Sequence, residues 1–488
     1  MRFLLLLAAI TLSCGQSPLL VKPYLQLGDN PADATRMTVV FHSPTPGKFT
    51  VTGPNGKAIP ALEQKVAATS ISEHSIYSAE LTGLKPGAEF AYAVALNGQT
   101  LFQSKGLARK SASQSSRTVI FGDSGQDNTP QREIAWQTAQ AKPDMVFIVG
   151  DVVYSRGLVS EYRKKLYPVY NADTDTPNGV SLMRSRLFTV VPGNHDTVTT
   201  DTTKYPDGQA YYLYWKQPSN GPSLGDKHQP LLQGDYAATF KSSAGPAFPN
   251  AANYSFDYGN AHWTMLDGND YVDWQEPALQ KWIADDLAKA GKATWRFIGF
   301  HQPGFNSSKA HFSQQQLRWL APIFEQGGVD IVFSGHVHNY QRSYPLTFAP
   351  SGPGAKKGEV EGALNLDKAY AEKGKPNGVI YIVSGAGGAG LYNPEQDQDR
   401  TTWQPFTKLF VSRTHSFSIL DLDGTNLLFR QLDGKGQELD RFEIKKQTTK
   451  NQGPRYHPGP LDMSGGSAAV MFWGESGSMA SQCRESCV

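Results

Sequence analysis

Met145-Val146-Phe147-Ile148-Val149-Gly150-Asp151-Val152-Val153-Tyr154 decides how this chain folds. Five consecutive apolar residues closed by a glycine describe a strand buried on both faces, as in the sheet of an α/β protein. The glycine lets the backbone turn sharply, and an aspartate and a tyrosine stand where the strand stops. The same grammar recurs along the chain. Thr118-Val119-Ile120-Phe121 runs into Gly122-Asp123-Ser124-Gly125, and Leu187-Phe188-Thr189-Val190-Val191 runs into Gly193-Asn194-His195-Asp196. Phe297-Ile298-Gly299-Phe300 ends at His301, and Asp330-Ile331-Val332-Phe333-Ser334 ends at Gly335-His336-Val337-His338. Amphipathic stretches at 133–142 and 277–289 read as helices between these strands. Sites in open α/β sheets form beyond the carboxyl ends of the strands, so all five loops are expected on one edge.

Taken singly, an aspartate after a strand is ordinarily a turn residue, and Tyr154 alone would be core or surface. Two imidazoles on one turn, His336 and His338, are harder to read that way. The five loops together offer carboxylates, an amide oxygen, a phenol and imidazoles, a complement for two hard or borderline metal ions. Cysteine takes no part. There are 3 in the chain, Cys14 near the amino end and Cys483 and Cys487 at the carboxyl end. That excludes a disulfide-stapled scaffold and leaves oxygen and nitrogen as the ligands.

Outward from this core the text changes. Residues 18–106 are short alternating runs (37–41, 48–51, 75–81 and 89–94) separated by turn signals such as Pro54-Asn55-Gly56 and Asn97-Gly98, which fits a small β-sandwich. Residues 107–117 read as a polar linker, 118–446 as the α/β domain that carries the five loops, and 447–488 as a flexible tail without periodicity. Residues 197–252 are loop grammar with no clear element. Residues 1–17, with Arg2, the apolar Phe3-Leu4-Leu5-Leu6-Leu7-Ala8-Ala9-Ile10 and small residues after it, form a secretory signal. Thr11-Leu12-Ser13-Cys14 is similar to a degenerate lipoprotein box, so a membrane association is expected only if Cys14 is lipidated; cleavage and release is the favoured reading. Either way the protein is expected to be secreted, periplasmic or on the cell surface. Its 46 Lys plus Arg against 44 Asp plus Glu give a charge of +2, too little to suggest nucleic acid as a partner.

The five loops, in order, resemble the purple acid phosphatases of the calcineurin-like metallophosphoesterase superfamily, whose pattern is GDxG, GDxxY, GNH(E/D), VxxH and GHxH. One position departs: Ile298 stands for the Val of VxxH. The β-rich region before residue 107 and Tyr254-Ser255-Phe256-Asp257-Tyr258-Gly259-Asn260 are similar to the larger plant-type members. The resemblance implies an α/β chain: a fibronectin-III-like β-sandwich followed by a layered α/β/β/α metallophosphoesterase domain. It implies that Asp123, Tyr154 and His338 hold one metal, Asn194, His301 and His336 a second, and that Asp151 bridges them. A phenolate suits Fe(III), and the other set suits Fe, Zn or Mn in the divalent state. It further implies hydrolysis of small phosphate monoesters by a metal-generated hydroxide, with His195 and His311 as proton donors to the leaving group and an acid optimum.

Two other readings stay open. One is a phosphodiesterase or nucleotide hydrolase on the same scaffold. The other is a non-catalytic cell-surface binding protein, against which all seven ligand positions being occupied is the argument. His262, Asp267 and Asp270 read as core hydrogen bonding, and His228, His415 and His457 have no supporting spacing. Gly385-Ala386-Gly387-Gly388-Ala389-Gly390 lacks the Lys-Ser/Thr of a P-loop and reads as a turn closing the sheet near the site.

Overall fold

Strands buried on both faces need cover on both faces, and two sheets stacked with helices outside provide it. The computed structural model describes residues 17–199, 202–372 and 374–447. The expected leader with Cys14 and the tail with His457, Cys483 and Cys487 lie outside them. At the centre of a ten-stranded sheet run three parallel strands, Ser116–Phe121, Met145–Ile148 and Leu187–Val190. A seven-stranded sheet is built around the parallel strands Ala261–Met265, Trp295–Gly299, Ile331–Ser334 and Ile380–Ser384.

Side-chain alternation assembles the layers. Met145 and Phe147 point between the sheets, into one core with Trp263, Phe297 and Phe333. The ring centroids of Phe147 and Trp263 are 5.9 Å apart, and those of Trp263 and Phe297 are 4.6 Å apart. Val146 and Ile148, one residue out of phase, pack against Ile134 and Ala135 of the helix Thr129–Gln140. On the far side Ile298 and Val332 meet Leu279, Ile283 and Leu287 of the helix Pro277–Lys289. Helix, sheet, sheet, helix is the result. Phe147 is fully buried, and truncating such a ring to alanine costs about 3–5 kcal/mol.

The helix expected over 133–142 begins earlier. Asn128 caps it, its side-chain oxygen accepting from the Gln131 N–H at 3.0 Å, and Pro130 fits the first turn, which needs no donor. The stretch 197–252, which shows no element in the sequence, contains the short helices Tyr211–Tyr214 and Tyr236–Ala244 and buries Tyr211, Tyr212, Tyr214 and Trp215.

In the β-rich N-terminal region, the sheet of Ala58–Pro60, Phe49–Thr52, Glu89–Leu96 and Gln99–Leu107 faces Met37–Ser43 and His74–Leu81 across Phe41, Phe49 and Tyr77. The Phe49 centroid lies 5.3 Å from that of Phe41 and 4.5 Å from that of Tyr77. The second of these layers does not stop at the region's end. Val21–Gln26 lies parallel to Leu187–Val190, with Leu25 opposite Leu187, so Val21–Gln26, Met37–Ser43, His74–Leu81 and Leu62–Val66 belong to the same ten-stranded sheet. Between Gln99–Leu107 and Ser116–Phe121 the chain is held down: Ala108 and Arg109 are buried, and Arg109 donates to the carbonyls of Asn30 and Pro31 at 2.9 Å each. Among the described residues no helix is long and apolar enough to cross a membrane.

Candidate metal centre

The two sheets bring their carboxyl edges together, and the loops leaving them interlock. Asp123, Asp151 and His336 all sit in the left-handed region, with φ of 58°, 47° and 66°. Such backbone costs of order 1–2 kcal/mol per non-glycine residue and recurs where a site dictates side-chain direction. The glycines leave room. A methyl group on Gly193 would meet Asp151 Oδ1 at 2.2 Å. Asp196 ties two loops by accepting the N–H of Val152 at 3.1 Å and of Gly193 at 3.0 Å. Burial, then the Asp151 charge, pushes its carboxyl up to about 8.

Asp123, Tyr154 and His338 form one cluster. The Tyr154 hydroxyl is 3.1 Å from Asp123 Oδ1 and 3.1 Å from His338 Nε2, which itself lies 3.4 Å from Asp123 Oδ1. His338 Nδ1 donates to the Gly390 carbonyl at 2.7 Å, which presents Nε2 to the cluster. Asp151 and His301 continue the cluster inward. His301 Nδ1 donates to the Val149 carbonyl at 2.7 Å, and its Nε2 faces Asp151 Oδ1 at 3.3 Å. One ligand atom from each of Asp123, Asp151 and His301 lies within 4.8 Å of the others. The His336 ring centroid is 5.0 Å from that of His301, its backbone N–H donates to Asp123 Oδ2 at 2.9 Å, and its Nε2 meets Gln314 Oε1 at 2.6 Å. Asn194 opens the helical turn Asn194–Thr197 and lines a cavity together with His336 and His311.

The two further expected residues stand on either flank. The His195 ring centroid is 4.5 Å from that of Tyr154, with Nδ1 donating to the Ser155 carbonyl at 2.8 Å. The His311 ring centroid is 4.0 Å from that of His336.

Charge is strongly coupled in so dry a place. Burial alone would raise the Asp151 carboxyl, but His301 holds it below the ordinary carboxylate range. Burial works against a charged His301, yet Asp151 and Asp123 push it up to about 9. Burial, then the Asp123 and Asp151 charges, drives the Tyr154 phenol well above its usual value. Burial and the neighbouring His301 and His311 drive His336 well below.

The donors fit cations. Asn194 Oδ1 and His301 Nε2 are both buried and without a hydrogen-bond partner among the described residues. An orphaned buried acceptor costs about 1–3 kcal/mol, a cost that a cation bound to it would remove. Of the seven expected ligands, Asp123, Asp151, Tyr154, His301, His336 and His338 are joined by these contacts, and Asn194 borders the same cavity as His336.

Three participants were not singled out from the sequence. Asp196 lies inside a quoted motif. Gln314 and Tyr392 lie in loops: Tyr392 stacks on His338 with centroids 4.0 Å apart and planes 9° from parallel. In the glycine run at 385–390 the N–H groups of Gly385, Gly387 and Ala389 donate to the Asn339, Gly122 and Asp123 carbonyls, which packs the run against the loop that carries Asp123. His262 lies away from the centre, between Asp257 at 2.7 Å and Asp286 at 3.0 Å.

Residues 116–340 match the family described as calcineurin-like phosphoesterases. A protein named probable inactive purple acid phosphatase 1, from Arabidopsis thaliana, is 26% identical over 404 residues, covering 76% of this chain and 58% of that protein. A nucleotide pyrophosphatase/phosphodiesterase of Hordeum vulgare is 24% identical over 360 residues, covering 68% and 83%. The structure of a purple acid phosphatase from yellow lupin (Lupinus luteus) seeds superposes with a TM-score of 0.60 at 20% identity, over 87% of this chain and 74% of that one. The chain spans 58%, 28% and 49% of the length of three Arabidopsis relatives. Residues 116–340 of this chain therefore match the calcineurin-like phosphoesterase family, and the chain as a whole resembles the plant purple acid phosphatases.

Proposed function

We propose that this protein is a secreted acid phosphatase that hydrolyses phosphate monoesters at a binuclear metal centre, with iron(III) beside Tyr154 and a divalent iron, zinc or manganese beside Asn194. The observation that carries the reading is a pair of buried polar atoms without hydrogen-bond partners among the described residues, Asn194 Oδ1 and His301 Nε2, beside two buried carboxylates. Asp123 and Asp151 would repel a phosphate dianion, so a phosphoryl group settles here only if cations outweigh them. The metal pair, when bound, supplies positive charge for the phosphoryl oxygens and a water activated at neutral pH.

The chain's own residues do the rest. His338 and His301 are locked in one tautomer by the Gly390 and Val149 carbonyls, so each offers Nε2. His195, beside Tyr154, and His311, beside His336, act as donors of a proton to the departing alkoxide. A charged imidazole in that role favours acid pH.

The test is hydrolysis of p-nitrophenyl phosphate and its bis-ester, with and without chelator, alongside metal content and a visible spectrum. Expected are monoester hydrolysis abolished by chelator and a visible band lost in Tyr154→Phe. Activity that survives metal removal, or hydrolysis of neither ester, overturns the reading. The barley relative's name favours a second reading, diester or pyrophosphate hydrolysis, and preference for the bis-ester would select it.

A further inference from the structure

The imidazoles of the centre are not all held in the same way. His301 and His338 each spend Nδ1 on a backbone carbonyl, of Val149 and of Gly390, at 2.7 Å. His336 spends Nε2 instead, and on a side chain, Gln314 Oε1 at 2.6 Å. An amide oxygen only accepts, so a neutral His336 carries its proton on Nε2 and keeps the lone pair on Nδ1. The nitrogen offered to a cation must be the one without the proton. The backbone therefore aims His301 and His338, and one side chain aims His336.

Nothing else described fixes that ring by a hydrogen bond. The His336 backbone N–H donates to Asp123 Oδ2 at 2.9 Å, which places the main chain but leaves the side-chain torsions free. Asp123, Tyr154 and His338 are different, since they touch one another at 3.1–3.4 Å.

Gln314 itself is braced from outside the five loops. It closes a turn in which its N–H donates to the His311 carbonyl at 3.1 Å. Its neighbour Gln315, 5% exposed, pins the turn. The Gln315 N–H donates to the Gly358 carbonyl at 2.8 Å and its Nε2 to the Phe312 carbonyl at 2.9 Å, while its Oε1 accepts from the Val360 N–H at 3.2 Å. Val360 opens the strand Val360–Leu366, so this scaffold aims Gln314 without help from a bound ion.

Resting on the binuclear phosphatase reading above, we infer that Gln314 is a positioning residue: it makes Nδ1 the nitrogen that His336 offers to the cation beside Asn194, and so governs the occupancy of that site and not of the site beside Tyr154. It acts by accepting one hydrogen bond, so a carboxylate can replace it and a hydrocarbon cannot.

The test uses the zinc-loaded protein, which is diamagnetic, and two measurements. Long-range proton–nitrogen correlation spectra show which ring nitrogen carries the proton, expected to be Nε2 at His336 and Nδ1 at His301 and His338. Competition with a chromophoric chelator gives the affinity of each zinc ion. Gln314→Leu should weaken one ion about 10–100-fold, the usual cost of removing such a support, and leave the other unchanged. Loaded with iron, the same variant should keep the visible band of the Tyr154 site. Gln314→Glu should hold both zinc ions at least as tightly as the wild type. Gln316→Leu, the same change in the lining of the same cavity, should also keep both. A proton on Nδ1 of His336, wild-type affinities in Gln314→Leu, both ions weakened together, or a Gln314→Glu as weak as Gln314→Leu overturns the inference while the phosphatase reading stands. Should Gln314→Leu not fold, the wild-type spectrum and Gln314→Glu decide alone. If the wild type binds no metal and hydrolyses neither ester, the phosphatase reading itself fails and takes the inference with it.

Discussion

Gly150 stands between the strand Met145–Ile148 and Asp151 with φ of +86°, and a methyl group on it would lie 2.4 Å from His301 Nδ1 and 2.7 Å from Cγ. Ordinary contact begins at 3.4 Å, so Gly150→Ala forces the imidazole to retreat by about 1 Å. The same nitrogen holds the Val149 carbonyl at 2.7 Å, so the retreat breaks the bond that aims Nε2. A displacement of that size costs roughly a hundredfold in rate, and left-handed backbone adds about 1–2 kcal/mol of instability. Gly56 separates the two effects. Its φ is +71° and nothing lies within 4 Å of an added methyl, so Gly56→Ala carries the backbone penalty alone. Metal content after gel filtration, kcat/KM on p-nitrophenyl phosphate and thermal denaturation, measured on both variants, form the assay. Both should melt earlier than the wild type, but only Gly150→Ala should lose metal and about two orders of magnitude in kcat/KM. Wild-type metal content and kcat/KM in Gly150→Ala would refute the claim that the Gly150 turn fixes His301.

Two further predictions concern stability. His42 and His74 are buried under Tyr24 and Tyr214, with Tyr24 Oη 3.0 Å from His42 Nε2 and Tyr214 Oη 2.8 Å from His74 Nε2. Burial lowers both, His74 to about 4, so stability is full above the unfolded-chain value near 6.5 and is lost as pH falls; His74 alone should cost roughly 2 kcal/mol by pH 5, and urea midpoints at pH 7 and 5 should shift less in His74→Gln. At His262, burial opposes the charge but Asp257 and Asp286 raise it to about 9, so Asp286→Ala leaves Nε2 without its carboxylate while Asp257 keeps Nδ1, and should destabilise by about 1–3 kcal/mol in urea denaturation while metal content per folded chain stays unchanged.

The strands that carry the site are legible because burial on both faces writes an unbroken apolar run, and the helix Pro277–Lys289 is legible because its stripe repeats at helical period. The start of Thr129–Gln140 is harder to place, since Asn128 and Pro130 are polar and turn-like until the cap is seen. Nothing local encodes the pairing of Leu25 with Leu187, which is decided by tertiary packing. Gln99–Leu107, largely exposed or half-exposed, offers little hydrophobic signal, and its last residue, Leu107, reads as the start of the linker. At the site, the motif residues announce themselves because metal chemistry restricts which side chains can serve. Gln314 and Tyr392 do not, because a glutamine or tyrosine in a loop gains a role only from what the fold sets against it, here the rings of His336 and His338.

Leu187–Val190 takes Met145–Ile148 on one side and Val21–Gln26 on the other. A fragment trimmed to begin after the first hundred residues would therefore not be a smaller protein but a stickier one. Its flank would offer a bare ladder of amides and carbonyls to any extended chain it met, the usual opening for aggregation. The strand that ends in the Gly193-Asn194 turn would then be the frayed margin of the sheet, so solubility and catalytic geometry would be lost by the same cut.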